Sequence, residues 1–170
     1  MSMTSQTSRD PSALNERGQR LISGSLTPAQ YLGITQAQLY KLATQGHGML
    51  VRGQTQAAID IFKGLVAASP YDSVFHCHLA SAYAQAERYA ESMEAYTRAL
   101  QLNIANVDAL SGRSELLLRE GRLAEALQDI QAALRLDPTA QRESTQRARS
   151  TLMVLQQMAE AAEKGPSTRR

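Results

Sequence analysis

Residues 71–104 read YDSVFHCHLASAYAQAERYAESMEAYTRALQLNI, and the same pattern stands 34 positions earlier and 34 positions later without a gap. Aligning the three copies gives the columns Met49, Tyr83, Leu117; Gly46, Ala80, Ser114; Ala58, Ser92, Ala126; Phe62, Tyr96, Ile130; Leu65, Ala99, Ala133; and Pro70, Ile104, Pro138. Each copy has room for two helices joined by a turn at Gly53, Glu87 or Gly121. The small columns let the two backbones approach, and the large ones, led by Met49 and Phe62, are expected to meet inside each unit. A single unit cannot bury its apolar face alone, so the copies must stack into one continuous core.

A period of 34 with aromatic or aliphatic pairs, small residues and a closing proline is the signature of the tetratricopeptide repeat. The fold class that follows is all-α, an α-solenoid of three tetratricopeptide repeats with an N-terminal helix and a C-terminal capping helix. Residues 1–9 have little to bury and read as a disordered arm. Residues 10–34 form an N-terminal helical segment, opened by Asp10-Pro11 as N-cap and first helical position, with Leu14, Gly18, Leu21 and Ile22 on one face. The repeats occupy 35–70, 71–104 and 105–138. Thr35 and Gln38 have the spacing of a capping box, and Asp72 and Asn106, one column, are N-caps for the first helices of the second and third repeats. Residues 139–164 carry Ala148, Leu152, Leu155, Ala159 and Ala162 as one apolar stripe, expected to cover the third repeat, and 165–170 are a basic tail.

Composition narrows the function. No apolar stretch approaches the roughly 20 residues a spanning helix needs, and Met1 to Ala13 lacks the apolar centre of a signal peptide, so a cytosolic protein without membrane insertion is expected. The one cysteine, Cys77, has no internal disulfide partner. Residues 39–141 carry 9 basic and 11 acidic side chains, a poor surface for tracking phosphates, which argues against nucleic acid.

Catalytic motifs are not apparent. In His76-Cys77-His78 the two imidazoles lie two helical positions apart and point to nearly opposite sides, so they cannot close on one ion. A pair of His78 or Cys77 with His47 would still lack the three or four ligands zinc takes. There is no glycine-rich phosphate loop and no nucleophile elbow, and Glu87, Glu91 and Glu94 fall at the spacing of a solvated face. No enzyme, catalytic residue, cofactor or metal is therefore expected.

What remains is the inner wall. The first helices of stacked repeats line a concave groove, and register places there Tyr40, Ala43, Thr44 and His47 from the first repeat, Val74, Cys77, His78, Ser81, Ala84 and Gln85 from the second, and Ser111 and Glu115 from the third. Register also puts Asp108 and Gly112 on that wall. Small and mildly apolar, it suits an extended peptide with aliphatic anchors.

The segment Ser69-Pro70-Tyr71-Asp72-Ser73-Val74-Phe75, with Leu79 to Gln85, Tyr89 to Ser92, and Leu39-Tyr40-Lys41-Leu42-Ala43, resembles the class II chaperones of bacterial type III secretion. Where that family carries further groove aromatics on its first repeat helix, this chain has Thr44 and His47. The resemblance implies a cytosolic, non-enzymatic chaperone that keeps secreted translocators soluble by holding an extended segment in the groove. It also implies a homodimer through the N-terminal helix, here Leu14, Leu21 and Ile22. The alternative is a generic tetratricopeptide adaptor between proteins.

Overall fold

The computed structural model describes residues 11–163, so the expected arm at 1–9 and tail at 165–170 lie outside the described residues. Those described form helices α1 (Pro11–Ile22), α2 (Pro28–Leu32), α3 (Gln36–Val51), α4 (Thr55–Ala68), α5 (Ser73–Gln85), α6 (Tyr89–Leu102), α7 (Val107–Arg119), α8 (Leu123–Leu136) and α9 (Glu143–Glu163), with no strand among them. Helices α3 and α4, α5 and α6, and α7 and α8 pack as pairs. α4 then meets α5, α6 meets α7, and α9 lies against both α7 and α8.

The helices start where polar side chains satisfy free backbone N–H groups. At α3 the Thr35 hydroxyl accepts from the Gln38 N–H (3.3 Å) while the Gln38 amide oxygen accepts from the Thr35 N–H (2.8 Å). Thr27 and Gln30 repeat the same box at α2. Asp72 caps α5 through the Val74 N–H (2.9 Å), and Asn106 caps α7 through the Ala109 N–H (3.0 Å). The second helices α4, α6 and α8 have no side-chain cap. Instead the chain enters them through a left-handed residue, Gly53 (φ 73°), Glu87 (φ 59°) or Gly121 (φ 73°). Glycine adopts that conformation freely; Glu87 holds it at a steric cost.

The core follows the 34-residue columns. Ala58, Ser92 and Ala126 are fully buried, as are Ala80, Ala99 and Ala133. Ser92 is tolerated because its hydroxyl donates to the Ala80 carbonyl at 2.7 Å. Neighbouring repeats are tied at their ends: the Asn106 amide donates to the Ser73 hydroxyl (2.7 Å), which donates to the Ala99 carbonyl (2.9 Å).

The large column reaches further than the partner helix of its own unit. Phe62, fully buried, lies under Gly46, where an added Cβ would come within 2.9 Å of the ring. The same ring stacks on His78 of the next repeat at 5.3 Å between centroids. One repeat on, Tyr96 passes beneath Gly112, whose missing Cβ would sit 2.3 Å from the phenol Cζ and oxygen.

Helix α9 occupies the place of a fourth first helix: Ala148 stands 34 residues after Ser114 and is buried, as Gly46, Ala80 and Ser114 are. The stripe expected along α9 covers the third repeat only at its start. Leu152 and Leu155 are half-buried, and Ala159 and Ala162 are exposed, together with Met153, Val154 and Met158. The reason is length. At 1.5 Å per residue, the 21 residues of α9 overrun the 13 of α7 and 14 of α8.

Candidate functional site: the inner wall and its cavity

Helices α3, α5 and α7 present one side of the solenoid, and α9 extends that side beyond the third repeat. A cavity of about 360 Å³ opens there, lined by His47 of α3, by Val74, Cys77, His78 and Ser81 of α5, and by Tyr96 of α6. The remaining lining is Asn106, Asp108 and Gly112 at α7 and Glu143, Ser144 and Arg147 of α9.

Seven of the residues that register places on this wall thus share one cavity: His47, Val74, Cys77, His78, Ser81, Asp108 and Gly112. Tyr40 stands toward the first-repeat end, its ring 5.2 Å from Phe75 and its hydroxyl donating to the Asp72 carboxylate at 3.2 Å. Partial burial, followed by the Asp72 charge, raises its phenol above the ordinary value. Thr44 is exposed and bonds back to the Tyr40 carbonyl (3.0 Å). Ala84 is half-buried, and the Gln85 amide donates to the Leu50 carbonyl (3.1 Å), joining α5 to α3. Glu115 is exposed and paired with Arg147 at 3.0 Å. Two residues are placed differently from the expectation: Ala43 (4% exposed) and Ser111 (0%) are packed among the helices and do not line the cavity. Cys77 of the same column is also buried, at 8% exposed, yet it reaches the cavity.

The cavity's electrostatics follow from burial. His78 titrates below the ordinary histidine range because burial penalises its charged form and His47 adds repulsion, with Asp108 and Asp72 opposing. Burial pushes the Cys77 thiol up to about 12, with the Asp108 charge adding to it, so it has little thiolate to react. Tyr96 is also raised, by burial first. His76 turns the other way, its Nε2 2.8 Å from the Pro70 carbonyl oxygen, and lines a separate cavity with Val66 and Tyr83. Among the described residues no three of His, Cys, Asp and Glu gather where they could hold a metal ion.

Sequence register misses Tyr96, because its column belongs to the outer helices; only the gap at Gly112 lets it through. It also misses Glu143, Ser144 and Arg147. The signal was present in the Ser114 to Ala148 spacing, which marks α9 as another first helix. Of the three residues expected at a dimer contact, the Leu14 side chain lies outside the described residues, Leu21 is half-buried and Ile22 is 88% exposed.

A tetratricopeptide repeat family model matches residues 77–141, and a model of a bacterial transcriptional activator domain matches 27–104. No curated protein matches the chain. Among solved structures, the Yersinia enterocolitica type III secretion chaperone SycD in complex with a peptide of the translocator YopD is similar at TM-score 0.64 and 23% identity, over 74% of this chain and 98% of that one. SycD in an alternative dimer gives 0.66 and 24%, over 75% and 98%. A type III secretion complex from Aeromonas hydrophila gives 0.72 and 19%, over 85% and 98%. The first tetratricopeptide domain of Spaghetti (RPAP3), bound to the HSP90 peptide SRMEEVD, gives 0.61 and 26%, over 71% and 95%. The fold is an all-α tetratricopeptide array with a helix at either end.

Proposed function

We propose that this chain is a cytosolic, non-enzymatic chaperone of the class II type, which binds an extended segment of a type III secretion translocator along its inner wall. The observation that carries the reading is the cavity between α5 and α7, with Val74, Cys77 and Tyr96 supplying apolar surface and His47 and Ser81 at hand for backbone groups. Apolar pockets with a few polar groups are what an extended peptide uses. The structural likeness to SycD, crystallised with a translocator peptide, supports the choice of client. Holding such a segment keeps apolar, membrane-directed sequence from aggregating and needs no nucleotide. Homodimers through α1, with Leu14, Leu21 and Ile22 in contact, belong to the same proposal and are supported by the exposure of Ile22 and by SycD's dimers.

The test is co-expression with secreted proteins that carry apolar, membrane-directed segments. The chaperone reading expects a client to move from the aggregated to the soluble fraction and to co-purify, and Tyr40→Ala or Ala84→Glu to weaken that association with helicity intact. An unchanged aggregated fraction for every such client would refute it. A general adaptor role is the second reading, favoured by the likeness to the Spaghetti domain with its HSP90 peptide. It predicts a stable complex without any rescue of solubility.

A further inference from the structure

The inner wall does not end at α7. Three of the cavity's lining residues, Glu143, Ser144 and Arg147, come from the first turns of α9. They are held against α7 by an interlocked set of pairs. Arg142 bonds Asp108 at 2.7 Å, the Ser144 hydroxyl donates to the same carboxylate, and Arg147 reaches Glu115 at 3.0 Å and Glu143 at 3.3 Å. A helix that served only to cover the third repeat would need its buried face, Thr145 and Ala148, and nothing on the groove side.

We infer that α9 is a wall of the client site as well as a cap, and that it selects a segment carrying a basic residue beside its apolar anchor. This rests on the groove reading above. The argument is one of available charge. Arg147 is already shared between two carboxylates, and Arg142 is committed to Asp108, so among the described residues that line the cavity an incoming acidic residue finds no unpaired arginine or lysine. The partial positive charge at the start of α9 is also met, by the Asp137 carboxylate accepting from the Gln141 and Arg142 N–H groups at 3.1 Å each. Glu143, by contrast, has a side chain 86% exposed and a single partner, which is itself shared. It is the group at the cavity's edge with attraction left to offer, and a lysine or arginine next to the anchor meets it. The anchor itself enters over Tyr96, whose ring fills the space beside Gly112 and lines the cavity.

The experiment uses the full-length chain and fluorescein-labelled 12-residue peptides in a Ser/Gln background, with two leucine anchors flanked by Lys, Gln or Glu, read by anisotropy. Expected is roughly 2- to 5-fold tighter binding of the Lys peptides than of the Glu peptides, the size of an exposed pair, with the preference reversed by Glu143→Lys. Glu160→Lys, on the same helix away from the cavity, leaves the order unchanged. Equal affinities for Lys and Glu peptides, or a preference that Glu143→Lys does not move, overturn the role of α9 and leave the groove standing. If no peptide binds to a chain with intact helicity, both readings fall.

Discussion

Gly112 and Tyr96 offer the sharpest test of the packing scheme. A Cβ at position 112 would lie 2.3 Å from the Tyr96 Cζ and oxygen and 2.7 Å from Cε1, where ordinary contact begins near 3.4 Å, so the ring must retreat by about 1 Å. Tyr96 is 6% exposed and has little freedom to do so. Overpacking of this kind costs about 1–3 kcal/mol. The better helix propensity of alanine offsets about 1 kcal/mol of that. Gly112→Ala should therefore destabilise by roughly 0–2 kcal/mol in the native background. Replacing Tyr96 by leucine removes the atoms in the way. In a Tyr96→Leu background the same Gly112→Ala change should instead stabilise by about 1 kcal/mol. The assay is a double-mutant cycle by urea denaturation, with circular dichroism at 222 nm reporting helix. A coupling of about 1–3 kcal/mol and a change of sign between backgrounds are expected. Equal effects of Gly112→Ala in both backgrounds would refute the claim that the missing Cβ makes room for the phenol.

Phe62→Ala removes a fully buried ring lodged between Gly46 and His78, and should cost about 3–5 kcal/mol, lowering the melting temperature by roughly 6–20 °C in calorimetry. Glu87→Gly relieves a left-handed residue at φ 59° and should stabilise by up to about 1 kcal/mol, whereas Gly121→Glu in the matching turn should do the opposite; denaturation midpoints check both. Asp129 is 8% exposed and holds the Arg113 guanidinium through two bonds of 2.7 and 2.9 Å, so Asp129→Ala should cost about 3 kcal/mol, well above the loss for the exposed Glu125→Ala. His78 resists protonation in the folded chain because it is buried against Phe62 and repelled by His47, with the Asp108 and Asp72 carboxylates opposing. As pH falls below 6.5 the unfolded chain takes up a proton that the folded one declines. Its contribution to stability is thus present above that value and is lost as pH falls through the lowered folded one. Stability measured at pH 7.5 and 5.5 should differ less in His78→Gln than in the native chain.

The period of 34 by itself determined the helix pairs, their turns and the small columns, because each of these is a local or nearest-neighbour demand: a cap at Asp72, a left-handed turn at Gly53, a close approach at Ala58. It also determined which helices form the inner wall. Register placed His47, Val74, Cys77, His78, Ser81, Asp108 and Gly112 on that wall, and which further side chains reach the cavity was decided only by tertiary packing. Tyr96 arrives from an outer helix through a gap in the next repeat, while Ala43 and Ser111, in register with Cys77, are buried and do not reach the cavity. Arg147 and Glu143 join the wall because α9 docks in the register of another repeat after the recognisable repeats have ended. A periodic sequence states where a backbone goes; how far a ring projects between two neighbours depends on both of them, and no single column contains that information.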